Sequence, residues 1–365
     1  MSTNKLPIFS IVGTTSTGKS EAVFLLSEYA LEKKVAPSVV IISADSRQVY
    51  SGLEVLTGAD LPENFIVGEN NFEFSTLASE SGEKIPQKYF YKAIEQGEIE
   101  LYGLSIVSPF VEWSVGRFNQ YARTIIAAAK AESKLIFVVG GTGLYHQHVD
   151  TTDPRLCIPP NLRLREKLGQ LSVTQLQEEL RRVNGSYFAQ LNNSDKNNPR
   201  RLQRAIEVEQ ALQLLKQTDP ETFDTFLEQR QAAQQPRQTT HTQSYVGLQI
   251  SSEELHKKIA KRVQDRFSGG AVDEVRALLA LSQATNRQLS PQVTSTLGFA
   301  EITQFLDKKI TADACIEQWI QADYQYSKRQ LTWWKKYPAV QWINREGRDW
   351  YNNLQQVFVQ QITQY

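Results

Sequence analysis

The residues Gly13 to Ser20 carry the clearest chemistry in this sequence, because they fit the phosphate-binding pattern G-x-x-x-x-G-K-[ST]. The glycines let the backbone approach an anion, and the N–H groups of the loop and of the following helix stabilise its charge. Lys19 adds a positive charge, and the Ser20 hydroxyl can bind Mg²⁺. We predict that eight residues, named the phosphate loop below, hold the phosphate: Gly13, Thr14, Thr15, Ser16, Thr17, Gly18, Lys19 and Ser20. The pattern leaves open whether the ligand is a nucleotide, a pyrophosphate ester or a polyphosphate.

Asp45 lies at the end of a second predicted strand, residues 39–45, which is rich in β-branched side chains. In an open α/β sheet, ligands lie beyond the carboxyl ends of the strands, so Asp45 should face the phosphate loop. It could bind Mg²⁺, act as a general base or accept a hydrogen bond. Capping of a helix N-terminus is an equally good explanation of an acidic residue at this position.

A second glycine-rich turn begins at Gly140, after a predicted strand at residues 135–139. It contains Thr142 and would line the same crevice as the phosphate loop, although close packing of a helix on a strand is the simpler alternative. With predicted strands at 8–12 and 39–45 and helices at 22–31 and 115–131, the alternation indicates an α/β fold. We therefore predict a P-loop NTPase-like parallel sheet flanked by helices, with a mainly helical second region.

The second half of the chain is dominated by helical patterns, and it sets the expected domain boundaries. We expect a core domain at 1–150 with an insertion at about 56–101, a helical region at 151–240, and C-terminal helices at 241–365 that pack back on the core. The insertion could be a lid or a small subdomain with its own strands. The predicted elements of this half are helices at 162–180, 200–215, 253–281 (broken at Gly269-Gly270) and 311–334, a loop at 217–243 and a strand at 245–250.

The composition is that of an ordinary globular protein of 365 residues, with 41% hydrophobic and 22% charged residues. Lysines and arginines number 40, as do aspartates and glutamates, which argues mildly against a nucleic-acid coat protein but not against a local basic face. The two cysteines indicate neither a disulfide framework nor a zinc site. The sequence shows no signal peptide and no apolar run long enough for a membrane, so we expect a cytoplasmic protein.

Basic residues cluster at three places in the helical half, 200–204, 257–266 and 328–336, and in the last of these they are interleaved with aromatic residues. Cations that meet phosphates and rings that stack on bases are typical of a nucleic-acid surface. Solvated basic helix ends, which interact with the helix dipole, are the alternative for each cluster taken alone.

Taken together, these motifs resemble the tRNA dimethylallyltransferase (tRNA isopentenyltransferase) family. The matching stretches are Gly13–Ser20, Ile42–Tyr50, Val139–Tyr145, Asn198–Val208, Val272–Leu279 and Lys328–Trp333. No C-terminal zinc finger follows, so the resemblance is to the bacterial type. It implies transfer of a dimethylallyl group from dimethylallyl pyrophosphate to the N6 amine of the adenosine 3′ of the anticodon in tRNA, with Mg²⁺ as cofactor. We also expect a monomer without a membrane partner.

The resemblance also implies a role for single residues. Asp45 would be the general base, Thr142 would lie beside the reacting base, and Arg262 would contact the pyrophosphate, with Lys258 and Arg266 as neighbouring alternatives. Ser20 would bind the metal. The positions that correspond to tRNA contacts are Asp45, Ser46, Arg47, Gln48, Thr142, Arg163, Pro199, Arg200, Arg201, Leu202, Gln203 and Arg204.

Two stretches depart from the family pattern. Residues 52–60 lack the expected lysine, and residues 101–107 lack two histidines and an aspartate, so we expect a different wall of the prenyl pocket. Other hypotheses are an adenylate-type isopentenyltransferase acting on a free nucleotide, a P-loop small-molecule kinase, and a noncatalytic tRNA-binding relative. Competition between AMP and tRNA as substrates would test the adenylate-type enzyme. Phosphoryl transfer from ATP would favour the kinase, and tRNA binding without turnover would favour the noncatalytic relative.

Overall fold

Strands from both ends of the sequence form one eight-stranded sheet in the computed structural model, in the order β3-β4-β5-β2-β6-β1-β7-β8. The structure describes residues 6–59, 64–70, 88–149, 153–234 and 243–363. The strands are β1 (Ile8–Gly13), β2 (Ser38–Ser43), β3 (Ile66–Glu69), β4 (Lys88–Ile94), β5 (Gly97–Tyr102), β6 (Leu135–Val139), β7 (Gln243–Gln249) and β8 (Gln341–Asn344). The pairs from β5 through β2, β6, β1 and β7 to β8 are parallel, whereas β3 and β4 are antiparallel.

The central strands are continuous apolar runs because both of their faces are buried. Alternate residues of β2 enter two different cores: Val40 and Ile42 pack in one, and Val39 and Ile41 in the other. This parallel sheet with helices against it is a P-loop NTPase-like α/β fold, as predicted. It brings the carboxyl ends of β1, β2 and β6, and the loops that follow them, to one edge.

The helices alternate with the strands in the first half and follow one another in the second. Their bounds are α1 (Lys19–Glu32), α2 (Glu54–Thr57), α3 (Val115–Ala131), α4 (Gly143–His148), α5 (Leu162–Gly169), α6 (Val173–Gln190), α7 (Asn193–Lys196), α8 (Pro199–Thr218), α9 (Pro220–Gln234), α10 (Ser252–Arg266), α11 (Val272–Thr285), α12 (Pro291–Thr294), α13 (Phe299–Leu306), α14 (Ala312–Trp334) and α15 (Trp350–Thr363). A 3-10 helix covers Pro154–Cys157, and a π-helical turn covers Phe267–Ala271. Among the described residues, no helix combines the length and the apolar character needed to cross a membrane.

The chain divides into two compact units. The first contains Met1–Asp150 and Thr239–Tyr365, so β7 and β8 complete the sheet that the N-terminal strands begin. The second, Thr151–Gln238, is helical, with a core between α5, α6 and α8 around Leu176, Leu180 and Ile206.

The structure corrects two expectations about loops. The segment 217–243 is not a loop throughout, because α9 occupies Pro220–Gln234. A local signal marks its start: Asp219 accepts a hydrogen bond from the N–H of Thr222, and proline suits the first helical position. The region 56–101 is not a separate insertion either, since β5 pairs in parallel with β2 inside the main sheet and α2 lies at its beginning. Residues 60–63 and 71–87 of this region lie outside the described residues.

Candidate active site

A cavity of about 480 Å³ lies at the edge of the sheet where β1, β2 and β6 end. Five residues of the phosphate loop line it, as do residues 45–48, 56–58, 139–141 and 295–297. Helices α10 and α14 close it with the side chains of Arg262, Arg266, Asp323, Tyr326, Arg329 and Gln330. The structure thus brings together the phosphate loop, the Asp45 turn and the second glycine-rich turn, as the sequence predicts.

The phosphate loop is held in shape by hydrogen bonds between its own residues. The Thr17 hydroxyl donates to the carbonyl of Thr14 at 2.8 Å, and Lys19 Nζ donates to the same carbonyl at 2.6 Å. Gln330 of α14 accepts the Thr15 N–H at 2.9 Å, which ties the loop to a helix more than 300 residues away in sequence. The loop is therefore built before any anion arrives, which lowers the cost of binding.

Lys19 is placed to meet an anion, and the surrounding charges shift its pKa. Burial, followed by the nearby Arg262 guanidinium, lowers the pKa of Lys19 to about 8, although the Asp45 carboxylate acts in the opposite direction. This influence of Asp45 agrees with its position in the same cavity. A pyrophosphate between Lys19 and Arg262 would relieve their mutual repulsion.

Asp45 lies in a turn after β2 that fixes its carboxylate. Its Oδ1 accepts the backbone N–H of Arg47 at 2.8 Å and of Gln48 at 3.4 Å, which is an Asx turn and not the helix cap that was one of the alternatives. Within the described part of the chain, Oδ2 makes no hydrogen bond, and the residue lines the cavity. A carboxylate held by one oxygen at the edge of a ligand cavity can accept a proton from a bound substrate.

Arg262 of α10 reaches across the cavity to the phosphate loop. It donates to the hydroxyls of Thr15 and Ser16, the latter at 3.4 Å, and to the Thr57 carbonyl at 3.3 Å. Arg266, one turn later, donates to the Leu56 carbonyl at 3.1 Å. Both arginines line the cavity and Lys258 does not, and Arg262 is hydrogen-bonded to the phosphate loop from the cavity side.

Thr142 comes directly after Gly140 and Gly141, which line the cavity. Thr142 itself is not among the described residues that line it. Its hydroxyl oxygen is buried without a well-formed hydrogen bond in the described structure. The Tyr326 hydroxyl is close to it. Burial raises the pKa of Tyr326, and the Thr142 and Gln330 side chains lower it in part. The Thr142 hydroxyl therefore lies beside the Tyr326 hydroxyl at the margin of the cavity.

Residues 56–58 form the wall that departs from the family pattern. Glu274 of α11 accepts the backbone N–H groups of Val55 and Leu56, both at 2.8 Å, and Gln48 donates to the Gly58 carbonyl at 2.6 Å. This anchored turn brings Leu56 to the cavity, and Leu297 provides a second apolar side chain there. The wall therefore combines an apolar surface with a rigid backbone.

Sequence reasoning missed Asp323 of α14, whose side chain is buried in the cavity wall. Burial raises the pKa of this carboxyl, whereas Arg262 and Arg266 lower it. No motif marks Asp323 as functional. The apolar periodicity of α14 could have indicated an acidic residue on the buried face.

The predicted tRNA residues of the second unit differ in exposure. Arg163, Pro199, Arg200 and Arg201 are exposed, and Gln203 is partly so. Leu202 corrects the prediction, because its side chain is fully buried in the core of that unit and serves for packing. Arg204 is engaged internally: it pairs with Glu207 and donates to the carbonyls of Arg155 and Ile158.

The fold and the site together define a P-loop α/β protein in which the phosphate loop and the Asp45 carboxylate line the same cavity. The sequence profile of a family described as IPP transferase matches residues 91–337, roughly two thirds of the chain. The chain belongs to this family.

Relatives match over nearly the whole length. The chain is 29% identical to a tRNA dimethylallyltransferase of Geobacillus thermodenitrificans (strain NG80-2), over 92% of this chain and 90% of that one. It is also 29% identical to a tRNA dimethylallyltransferase of Moorella thermoacetica (strain ATCC 39073 / JCM 9320), over 93% and 90%.

Solved structures share the fold. A full-length tRNA isopentenylpyrophosphate transferase from Bacillus halodurans has a TM-score of 0.57 at 22% identity, over 99% of this chain and 98% of that one. A eukaryotic dimethylallyltransferase acting on tRNA has a TM-score of 0.64 at 19% identity, over 97% and 78%.

Proposed function

We propose that this protein transfers a dimethylallyl group from dimethylallyl pyrophosphate to the N6 amine of the adenosine 3′ of the anticodon in tRNA. The observation that carries the proposal is that Asp45, Lys19 and Arg262 line the same cavity, close enough for both Asp45 and Arg262 to affect the pKa of Lys19. The bond between the allylic carbon and oxygen breaks, and the bond between N6 and that carbon forms. The pyrophosphate leaves with the electron pair of the broken bond, and the amine proton passes to Asp45.

The leaving group would be held by the phosphate loop. Charge gathers on the pyrophosphate as the carbon–oxygen bond breaks, so fixed positive charge at that position favours the transition state. Lys19, Arg262 and the backbone amides of the loop supply that charge. Leu56 and Leu297 would shield the cation-like carbon from water.

Asp45 would act late in the reaction. An aromatic amine is a weak nucleophile whose proton becomes acidic only as the new bond forms, and a positioned carboxylate can take it then. The two backbone hydrogen bonds to Oδ1 hold the carboxylate in place and would leave the other oxygen to take the proton. Thr142, with its buried hydroxyl, would hold the adenine beside Asp45.

Mg²⁺ would be held by Ser20 together with oxygens of the pyrophosphate. The part of the chain that the structure describes contains no group of three or more His, Cys, Asp or Glu residues that could hold a metal. Mg²⁺ keeps several waters and commonly uses one or two protein ligands with substrate phosphates. Ser20 is exposed in the cavity wall, where it can serve as such a ligand. The ion would neutralise part of the charge on the departing pyrophosphate.

The RNA would be recognised by unstacked bases of the anticodon loop and by phosphate contacts. The target adenosine must leave its stack to reach the Asp45 carboxylate inside the cavity, which is the principle of base flipping. Exposed arginines of the second unit, Arg163, Arg200 and Arg201, are suited to the phosphates. A monomer acting in the cytoplasm, where tRNA is processed, is part of this proposal.

The test is to incubate the protein with dimethylallyl pyrophosphate, Mg²⁺ and an anticodon stem-loop, and to analyse the digested nucleosides by mass spectrometry. We expect a prenylated adenosine at the position 3′ of the anticodon. Asp45→Asn keeps the acceptor oxygen of the turn but removes the base, so the rate should fall roughly 10²- to 10⁴-fold. Asp349→Asn, at an exposed site outside the cavity, is the matched control.

The same assay separates the alternatives. Prenylated AMP in preference to stem-loop would favour the adenylate-type enzyme, and phosphoryl transfer from ATP would favour a kinase. Stem-loop binding without any product from the wild type would favour a noncatalytic relative. An unchanged rate for Asp45→Asn would remove Asp45 from the mechanism.

A further inference from the structure

Arg345 lies directly after β8, outside the part of the chain that the family profile matches. Its side chain is only 9% exposed and points to the back of the phosphate loop. One guanidinium nitrogen donates to the carbonyls of Thr17 at 3.2 Å and Gly18 at 2.9 Å. The other terminal nitrogen pairs with Glu21 at 3.0 Å.

These two carbonyls determine where the neighbouring N–H groups point. In a trans peptide the C=O and the following N–H lie in one plane and point in opposite directions. Arg345 holds the Thr17 carbonyl and shares the Gly18 carbonyl with the Ala22 N–H of α1, which lies at 3.1 Å. The N–H groups of Gly18 and Lys19 therefore point away from Arg345. Gly18 and Lys19 line the cavity, and Arg345 does not.

The phosphate loop and Arg345 also pack closely against each other. A Cβ on Gly18 would come within 1.7 Å of the Arg345 guanidinium, and Gly18 has φ of 77°, which favours glycine. The guanidinium stacks on Trp350 of α15, with 3.8 Å from its central carbon to the ring centroid. This stacking and the pairing with Glu21 fix the position of the arginine.

We propose that Arg345 is a positioning residue that orients the Gly18 and Lys19 amides toward the pyrophosphate. It acts through the backbone of the loop and makes no contact with the substrate. The inference deepens the proposed function, since pyrophosphate is the leaving group of the proposed prenyl donor. The C-terminal strand and helix thereby become part of the phosphate site.

The experiment compares Arg345→Met, which keeps the aliphatic stem, with wild type and with Arg348→Met as the matched control. Arg348 is exposed three residues away. Binding of inorganic pyrophosphate with Mg²⁺ is measured by calorimetry, and the KM values for the prenyl donor and for the stem-loop are measured separately. We expect about tenfold weaker pyrophosphate binding and a similar rise in the donor KM for Arg345→Met, with the stem-loop KM within twofold of wild type. Arg348→Met should equal wild type.

A merely structural role would lower the melting temperature and leave pyrophosphate affinity unchanged, or weaken both substrates equally, and either result overturns the inference. If Arg345→Met does not fold, Arg345→Lys decides. Its ammonium can reach the carbonyls but lacks the planar fork, so an intermediate loss is expected and wild-type affinity overturns the inference. Millimolar guanidinium chloride should restore pyrophosphate binding to Arg345→Ala by filling the vacated site, and failure to do so contradicts the orienting role.

Failure of the proposed function is distinguishable from failure of this inference. Pyrophosphate binding requires no prenyl transfer, so a wild type that binds pyrophosphate but makes no product refutes only the proposed function. Equal pyrophosphate binding by wild type and Arg345→Met refutes only the inference.

Discussion

Raising the pH from 7 to 9 should weaken pyrophosphate binding about tenfold, because the free protein loses the proton of Lys19 over this range. Burial is the main cause that lowers the pKa of Lys19 to about 8, and the Arg262 guanidinium adds to it. A bound anion favours the charged ammonium and raises this pKa again. The complex therefore holds more protons than the free protein, so affinity falls as the pH rises.

The magnitude follows from the pKa of the free state. At pH 8 about half of the Lys19 side chains are neutral, and the dissociation constant should be about twice its value at low pH. At pH 9 about nine in ten are neutral, and the loss should be about tenfold, or about 1.4 kcal/mol. Proton uptake on binding should rise from about 0.1 at pH 7 to about 0.5 at pH 8 and about 0.9 at pH 9.

The assay is titration calorimetry with inorganic pyrophosphate in pairs of buffers that differ in ionisation enthalpy. Lys19→Arg is the matched control, because a guanidinium stays protonated throughout this range. The pyrophosphate ionises identically in both experiments, so the difference between the two proteins isolates Lys19. Parallel pH profiles for wild type and Lys19→Arg, with no excess proton uptake by wild type at pH 8, would refute the reasoning.

Two further predictions concern stability. Glu207→Gln should lower the free energy of unfolding by about 3 kcal/mol, because the Glu207 side chain is 1% exposed and two arginines pair with it. The measurement is denaturant unfolding, and Glu178→Gln, at an exposed position, is the control. Burial would raise the pKa of Glu207, but its hydrogen bonds outweigh this and lower it, so the stabilisation is present above about pH 4.3 and is lost as the pH falls through the lowered pKa. Gly140→Ala should cost about 1–3 kcal/mol, because the added Cβ would lie 2.4 Å from the Ala44 carbonyl oxygen. Gly169→Ala, whose added Cβ would meet no neighbouring atom within 4 Å, should show no such loss in the same measurement.

The phosphate side of the site was predictable because its signals are local. A phosphate loop needs a fixed order of glycines, lysine and serine between a strand and a helix, and the sequence from Ile8 to Glu32 has that order. Asp45 was predictable as a member of the site because it follows a buried strand, and parallel strands end at the same edge. The sequence left its local structure open, because an Asx turn and a helix cap use the same residue types.

The opposite side of the site could not be predicted in the same way, because its contacts join distant residues. Gln330 reaches Thr15, and Arg345 reaches Thr17 and Gly18, across more than 300 positions. A polar residue on a long helix, or an arginine after a short strand, has no spacing that distinguishes it from a solvated side chain. The helix α9 was missed for a different reason: its glutamine-rich composition led us to predict a loop, and the capping signal at Asp219 was not considered.

Charge at the site also resolves what the composition left open. The whole chain has equal numbers of acidic and basic residues, yet the cavity has five cationic side chains and two carboxylates. These are Lys19, Arg47, Arg262, Arg266 and Arg329, against Asp45 and Asp323. A concave surface with low-dielectric walls concentrates such an excess into a strong positive potential, so a neutral protein can still attract a pyrophosphate and an RNA loop. Asp323 should limit this potential, because its carboxylate lies close enough to Arg262 and Arg266 to be affected by both, and the excess charge available to a ligand depends on its protonation.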